Sequence, residues 1–100
     1  MVVKAVACGN YLPGKQQEYA EWANKVVPIL TAPEELKKMT VWVNWLGGSP
    51  HRVVEFEFED MESYIKWLAR EDIRQVTDEW HDMISDHTVT VYQLAYEKAK

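Results

Sequence analysis

The stretch from His51 to Glu59 constrains this chain more than any other. Val54, Phe56 and Phe58 alternate there with Glu55, Glu57 and Glu59. Successive side chains of a strand point to opposite faces, so this strand has one face to bury and one to leave in water. The chain therefore contains a sheet with a covered face and a different, more polar one. The rest of the sequence can be read for what does the covering.

Before this strand, Val2 to Cys8 reads as a first strand, broken by Gly9-Asn10-Tyr11-Leu12-Pro13-Gly14. Tyr19, Trp22, Ala23, Val26 and Leu30 follow at helical spacing, predicting a helix from about Lys15, which Pro28 ends or kinks. Thr31-Ala32-Pro33-Glu34 has the form of a capping box and predicts a short helical turn through Lys38. Met39 to Leu46 predicts the second strand, and Gly47-Gly48-Ser49-Pro50 a turn. After the third strand, Asp60 can cap a helix with a stripe of Met61, Tyr64, Ile65 and Leu68. A second stripe, Ile73, Val76, Trp80, Met83 and Ile84, lies beyond a break at Arg70-Glu71-Asp72. Thr88 to Tyr96 predicts the last strand, with Glu97 to Lys100 as a tail. The order is β-α-β-β-α-β. Two interleaved split β-α-β units give a ferredoxin-like α+β fold, a four-stranded antiparallel sheet with both helices on one face. Residues 1–100 make one domain of this kind.

The hairpin between strands two and three sharpens the picture. An even loop sets Leu46 opposite His51, Val43 opposite Val54, Val41 opposite Phe56 and Met39 opposite Phe58. Cross-strand partners share a face, and the last three pairs are wholly apolar, so they lie under the helices. The uncovered face then carries Thr40, Trp42, Asn44, Leu46, His51, Val53, Glu55 and Glu57, with Lys4 from the first strand and Thr90 and Tyr92 from the last. Solvation is the simplest role for such a face. The aromatic and aliphatic groups on it favour an interaction site. Stacking two copies of the face would bury Trp42 and Tyr92 and enclose the polar groups.

Composition removes several function classes. A net charge of −5 disfavours a phosphate backbone, so no nucleic-acid partner is expected. An RNA-recognition domain shares the strand order, but Glu55 and Glu57 stand where it would need basic and aromatic residues. No apolar run is long enough to span a bilayer, so no membrane partner is expected. Cys8 is the single cysteine; it excludes an internal disulfide and a paired-cysteine metal site, and fits a cytoplasmic location. His81 and His87 are six residues apart, off any shared helical face, so no metal site is expected.

The segment Leu12-Pro13-Gly14-Lys15, followed by Glu18-Tyr19 and Trp22, resembles the entry to the first helix in the dimeric α/β-barrel superfamily. The run Phe56-Glu57-Phe58-Glu59-Asp60-Met61-Glu62-Ser63-Tyr64, a strand passing directly into a capped helix, is similar as well. Within it the chain resembles the antibiotic-biosynthesis-monooxygenase-like, stress-responsive A/B-barrel and NIPSNAP-like families. The resemblance implies a homodimer, formed through the uncovered sheet face, with a small apolar-walled pocket. Its members include cofactor-independent oxygenases, haem-degrading oxygenases, lactone isomerases and proteins with no known activity. Haem-degrading members use an Asn, a Trp and a His, for which Asn10, Trp67 and His81 qualify by type. The spacing from Trp67 to His81 departs from that pattern, and no cofactor is expected.

The functional expectation is a homodimer that binds a small, partly apolar molecule between sheet and helices, as a cofactor-independent monooxygenase- or isomerase-like enzyme. The alternative is a non-catalytic, stress-associated binding or structural dimer. In the enzyme reading Trp42 and Tyr92 form walls, Asn44 and His51 orient polar groups, and Glu55 or Glu57 moves a proton. Glu55, Glu57 and His51 are thus the catalytic candidates, with Trp42, Asn44, Lys4, Tyr92, Trp67 and His81 as pocket candidates. The competing role for Glu55 and Glu57 is ion pairing with Lys4, and for Trp67 and Trp80 core packing.

Overall fold

The computed structural model describes residues 1–100. It orders seven elements: β1 (Val3–Tyr11), α1 (Gln16–Thr31), β2 (Leu36–Val43), β3 (Arg52–Phe58), α2 (Met61–Leu68), α3 (Glu71–Met83) and β4 (Ile84–Gln93). The strands form one sheet in the order β2-β3-β1-β4, every neighbouring pair antiparallel. This is the expected ferredoxin-like fold, with the helices on one face.

The inward alternation of β3 carries the core. Phe58 is fully buried, and Val54 nearly so. Val3 and Ala5 lie beside them on β1, and Val26, Leu30, Trp67 and Ile73 close over them from the helices. A second cluster of Tyr19, Ala23, Trp80 and Ile84 packs at the other end of the helix layer. Asp60 starts α2 as expected, its carboxylate accepting from the Ser63 N–H at 2.8 Å. That bond to the backbone holds its carboxyl below the usual range. α1 runs through Pro28 to Thr31 rather than ending there.

Several boundaries differ from the sequence expectation, each for a reason of pairing. β1 continues past Cys8 to Tyr11, because Asn10 and Tyr11 pair with Ser85 and Ile84 beyond a bulge. The expected helical turn through Lys38 shrinks to one hydrogen-bonded turn, the Leu36 N–H donating to the Pro33 carbonyl at 3.2 Å, because Leu36 pairs with Phe58 and β2 starts there. β2 stops at Val43 instead of Leu46. Ile84, expected on the helical stripe, opens β4, which ends at Gln93 rather than running from Thr88 to Tyr96. The hairpin pairs Val43 with Arg52, Val41 with Val54 and Met39 with Phe56. The expected register is therefore two residues off. A two-residue slip keeps every side chain on its face, so the face assignments of β2 and β3 are unaffected.

Candidate functional site

A cavity of about 110 Å³ lies between the sheet and the helices. Its floor is made by small residues of β1, Ala5 and Ala7, and its walls by Tyr19, Trp22 and Trp80. Alanines at two successive inward positions leave room that larger side chains would fill. The indole N–H groups around it are occupied. Trp80 Nε1 donates to the Tyr19 hydroxyl at 3.1 Å, Trp22 Nε1 to Glu79 at 2.9 Å, and Trp67 Nε1 to the Leu30 carbonyl at 3.0 Å.

Arg52 is the one charged residue of the lining. It is the first residue of β3 and shares the inward parity of Val54, Phe56 and Phe58. Its guanidinium carbon sits 4.9 Å from the centroid of the Tyr19 ring, a cation–π contact. Its Nε–H is shut off from solvent and has no hydrogen-bond acceptor. Burial pushes the Tyr19 hydroxyl above its ordinary range, against the opposing effects of the Arg52 charge and of hydrogen bonding from Trp80 and, more weakly, from the Arg52 guanidinium. Tyr19 is thus protonated at neutral pH and keeps its O–H as a donor. The lining contains no carboxylate, imidazole or thiol. What this set of groups can do is exclude water, enclose an apolar body and donate hydrogen bonds.

The opposite face of the sheet has a different chemistry. Its side chains fall in rows across the strands: Lys38, Glu57, Lys4 and Tyr92; then Thr40, Glu55, Val6 and Thr90; then Trp42, Val53, Cys8 and Thr88. Glu55 accepts from Trp42 Nε1 at 3.1 Å and lies 3.7 Å from Lys4 Nζ. A shallow groove there is lined by Lys4, Lys38, Thr40, Trp42, Glu55 and Glu57. Trp42 and Tyr92 are both more than half exposed, at 58% and 57%.

The remaining candidates lie elsewhere. His51 stands at the end of the sheet, beyond β3. Its Nδ1 accepts from the Tyr11 backbone N–H at 3.1 Å, which puts the proton of the neutral ring on Nε2, and its ring stacks on Tyr11. Its own N–H donates to Asn10 Oδ1, and Asn10 Nδ2 in turn donates to Ser49 and Asp86. Asn44 shapes the hairpin loop: its Oδ1 accepts from the Leu46 N–H, and its Nδ2 donates to the Gly48 and Pro50 carbonyls. Trp67, on α2, is buried and lines the cavity between sheet and helices rather than this groove. His81 is exposed at the end of α3 and stacks on His87 at 4.5 Å, since the chain reverses between them into β4. The structure thus gathers Lys4, Trp42, Glu55 and Glu57 in one groove, with Tyr92 in the same row as Lys4. It leaves His51, Asn44, Trp67 and His81 apart from it. Sequence reasoning missed the Arg52–Tyr19 pair. The signal was the parity of Arg52, which sets a charge among the inward residues of β3.

No protein-family model matches the sequence, and no curated protein matches it. Solved structures do. SnoaB, a cofactor-independent oxygenase of Streptomyces nogalater, superposes with a TM-score of 0.82 at 8% identity, over 99% of this chain and 98% of its own. The hydroxynitrile lyase of Passiflora edulis gives 0.83 at 10% identity, over 98% and 97%. A dimeric ferredoxin-like protein of unknown function from Thermobifida fusca gives 0.78 at 15%, over 94% and 92%. At these identities the likeness establishes the fold alone, the ferredoxin-like arrangement described above.

Proposed function

We propose that this chain is a homodimeric small-molecule-binding protein whose ligand, small and largely apolar, occupies the cavity between sheet and helices. The observation that carries the reading is the cavity itself: apolar walls, two inward alanines and a few convergent polar groups, the usual make-up of a ligand site. The oxygenase and lyase among the similar structures support it as a fold that hosts sites for small molecules. They supply no chemistry for this one, because a fold does not fix an activity. Trp22, Trp67 and Trp80 line the cavity, so ligand entry is read by tryptophan fluorescence. The test is titration with a neutral aromatic probe such as toluene. Wild type gives a saturable change, and Ala7→Phe, which fills the floor, abolishes it. No saturable change in wild type, or an unchanged one in Ala7→Phe, overturns the reading.

The dimer forms through the uncovered face. The exposed Trp42 and Tyr92 support this, as does the dimeric T. fusca protein. Stacked faces would carry the groove of Lys4, Trp42, Glu55 and Glu57 into the seam, where Glu55 or Glu57 would be the groups able to move a proton. Sedimentation at micromolar concentration tests the assembly. The expected result is a dimer for wild type and a monomer for Trp42→Glu, since two like charges would meet in the seam. A monomeric wild type removes the dimer and, with it, a proton-transfer role for the two glutamates in an enclosed space.

A further inference from the structure

Arg52 raises a question that fold stability leaves unanswered. An N–H removed from water is costly unless it is hydrogen-bonded, and the half-buried Arg52 carries one such group, its Nε–H. None of the four ion pairs of the chain includes Arg52. Its neighbours across the sheet are Gly9 on β1 and Val43 on β2, neither of which has a side-chain acceptor. The Tyr19 ring holds the guanidinium in place from one side at 4.9 Å but takes no hydrogen bond from the buried Nε–H. Beside it, the Tyr19 oxygen already accepts from Trp80, so its own O–H is free to donate elsewhere. Two residues with donors to offer, one of them cationic, thus line an otherwise apolar cavity with no acidic group in its wall.

We propose that Arg52 and Tyr19 are the recognition end of the cavity for a carboxylate, so that the ligand is an apolar monocarboxylate with a body the size of one small ring or a short branched chain. A carboxylate is flat and presents two oxygens, which suits the fork of a guanidinium and the adjacent hydroxyl. The size follows from the volume: an apolar cavity of roughly 150 Å³ holds benzene, and this one is of that order. The inference rests on the cavity being a ligand site, and adds to it the charge and the chemical class of what enters.

The experiment compares 4-methylbenzoate with its neutral isostere 4-methylbenzamide, by tryptophan fluorescence and calorimetry. Wild type binds the carboxylate roughly 10-fold or more tightly than the amide, as expected for a charge-assisted contact. In Arg52→Gln the preference for the carboxylate over the amide disappears, because the charged contact is lost. Tyr19→Phe weakens the carboxylate alone, by a smaller factor. Equal affinities in wild type overturn the inference and leave the cavity reading standing, as does a preference that survives Arg52→Gln. If toluene and both ring probes fail to bind, the cavity reading falls with it. The wild-type comparison needs no variant, so the inference stays testable if Arg52→Gln folds poorly, and Arg52→Lys, which keeps the charge but loses the fork, serves as the second variant.

Discussion

The two faces of this sheet are made from the same four strands, often from adjacent residues, yet they have become different materials. Phe58 is fully buried, and Glu57, one residue earlier, faces the groove on the other side. Parity decides which face a side chain joins, but position across the sheet decides whether that face is covered. Val41 and Val43 on β2 and Val89 and Val91 on β4 share the helix side and are still exposed, because they lie on the two edge strands. The helix layer shields the central pair, β1 and β3, and the cavity lies over that pair. Coverage, more than composition, separates a site that holds an apolar molecule from a surface that holds water or a second copy.

The sharpest way to break this contrast is to alter neighbouring residues on opposite faces. Phe58→Ala removes a ring that packs against Tyr64 and Trp67. It is expected to cost about 3–5 kcal/mol in urea unfolding, the usual range for a buried phenylalanine. Glu57→Ala is expected to change stability by no more than about 0.5 kcal/mol. Comparable losses for the two would mean that the faces are energetically alike.

A smaller effect tests how tightly the covered face is packed at its rim. A Cβ on Gly9 would lie 2.7 Å from Cγ1 and 2.8 Å from Cδ1 of the buried Ile84. Gly9→Ala is expected to cost about 1–3 kcal/mol, the range for overpacking a filled core. Ile84→Val removes Cδ1, so the double variant should be more stable than the sum of the two losses. Simple additivity would show that Ile84 moves aside without strain.

These two regions were unequally legible in the sequence. The alternation of Val54, Phe56 and Phe58 against Glu55 and Glu57 identified both faces, because strand geometry has a period of two. The register was read two residues off, since Trp45 and Leu46 prolong an apolar run past the point where the ladder stops. Asn44 ends it, by taking up the loop's backbone groups. The capping box at Thr31 to Glu34 lost to the pairing of Leu36 with Phe58, a long-range contact that local pattern does not reveal. The cavity was the least legible feature. It is a volume from which side chains are missing, and Ala5 and Ala7 read along the chain as ordinary small core residues. Arg52 was visible as a charge of inward parity, but the burial of its Nε–H without an acceptor depends on strands and helices distant in sequence.

The interior of the covered face should also announce itself in pH. Tyr19 has its hydroxyl raised above the ordinary value near 10 by burial. A folded-state value above the unfolded one means the folded chain holds the proton more tightly. The resulting stability is fully present below the unfolded value and is lost as pH rises through the folded one. Urea unfolding between pH 9 and pH 11 is therefore expected to show a steeper decline in wild type than in Tyr19→Phe, which has no proton to lose. Parallel declines would place water around the Tyr19 hydroxyl and the cavity open to solvent.

The smallest expected effect is on the uncovered face, and it carries the most information about what covers that face in solution. Lys4 Nζ and Glu55 stand 3.7 Å apart with side chains 40% and 25% exposed, and Trp42 shares the same carboxylate oxygen. Between water and protein such a pair contributes little, so Lys4→Met should cost under about 1 kcal/mol, and less in high salt. The estimate holds for a face open to solvent. If two copies close over it, the same substitution strands Glu55 away from water without its cation, and the loss rises to about 3–5 kcal/mol, insensitive to salt. Measuring Lys4→Met at two protein concentrations, one on each side of dimer dissociation, therefore separates the cases. A loss that grows with concentration means that the groove becomes interior on assembly. A small loss at both means that Glu55 stays in water whether or not the chains pair.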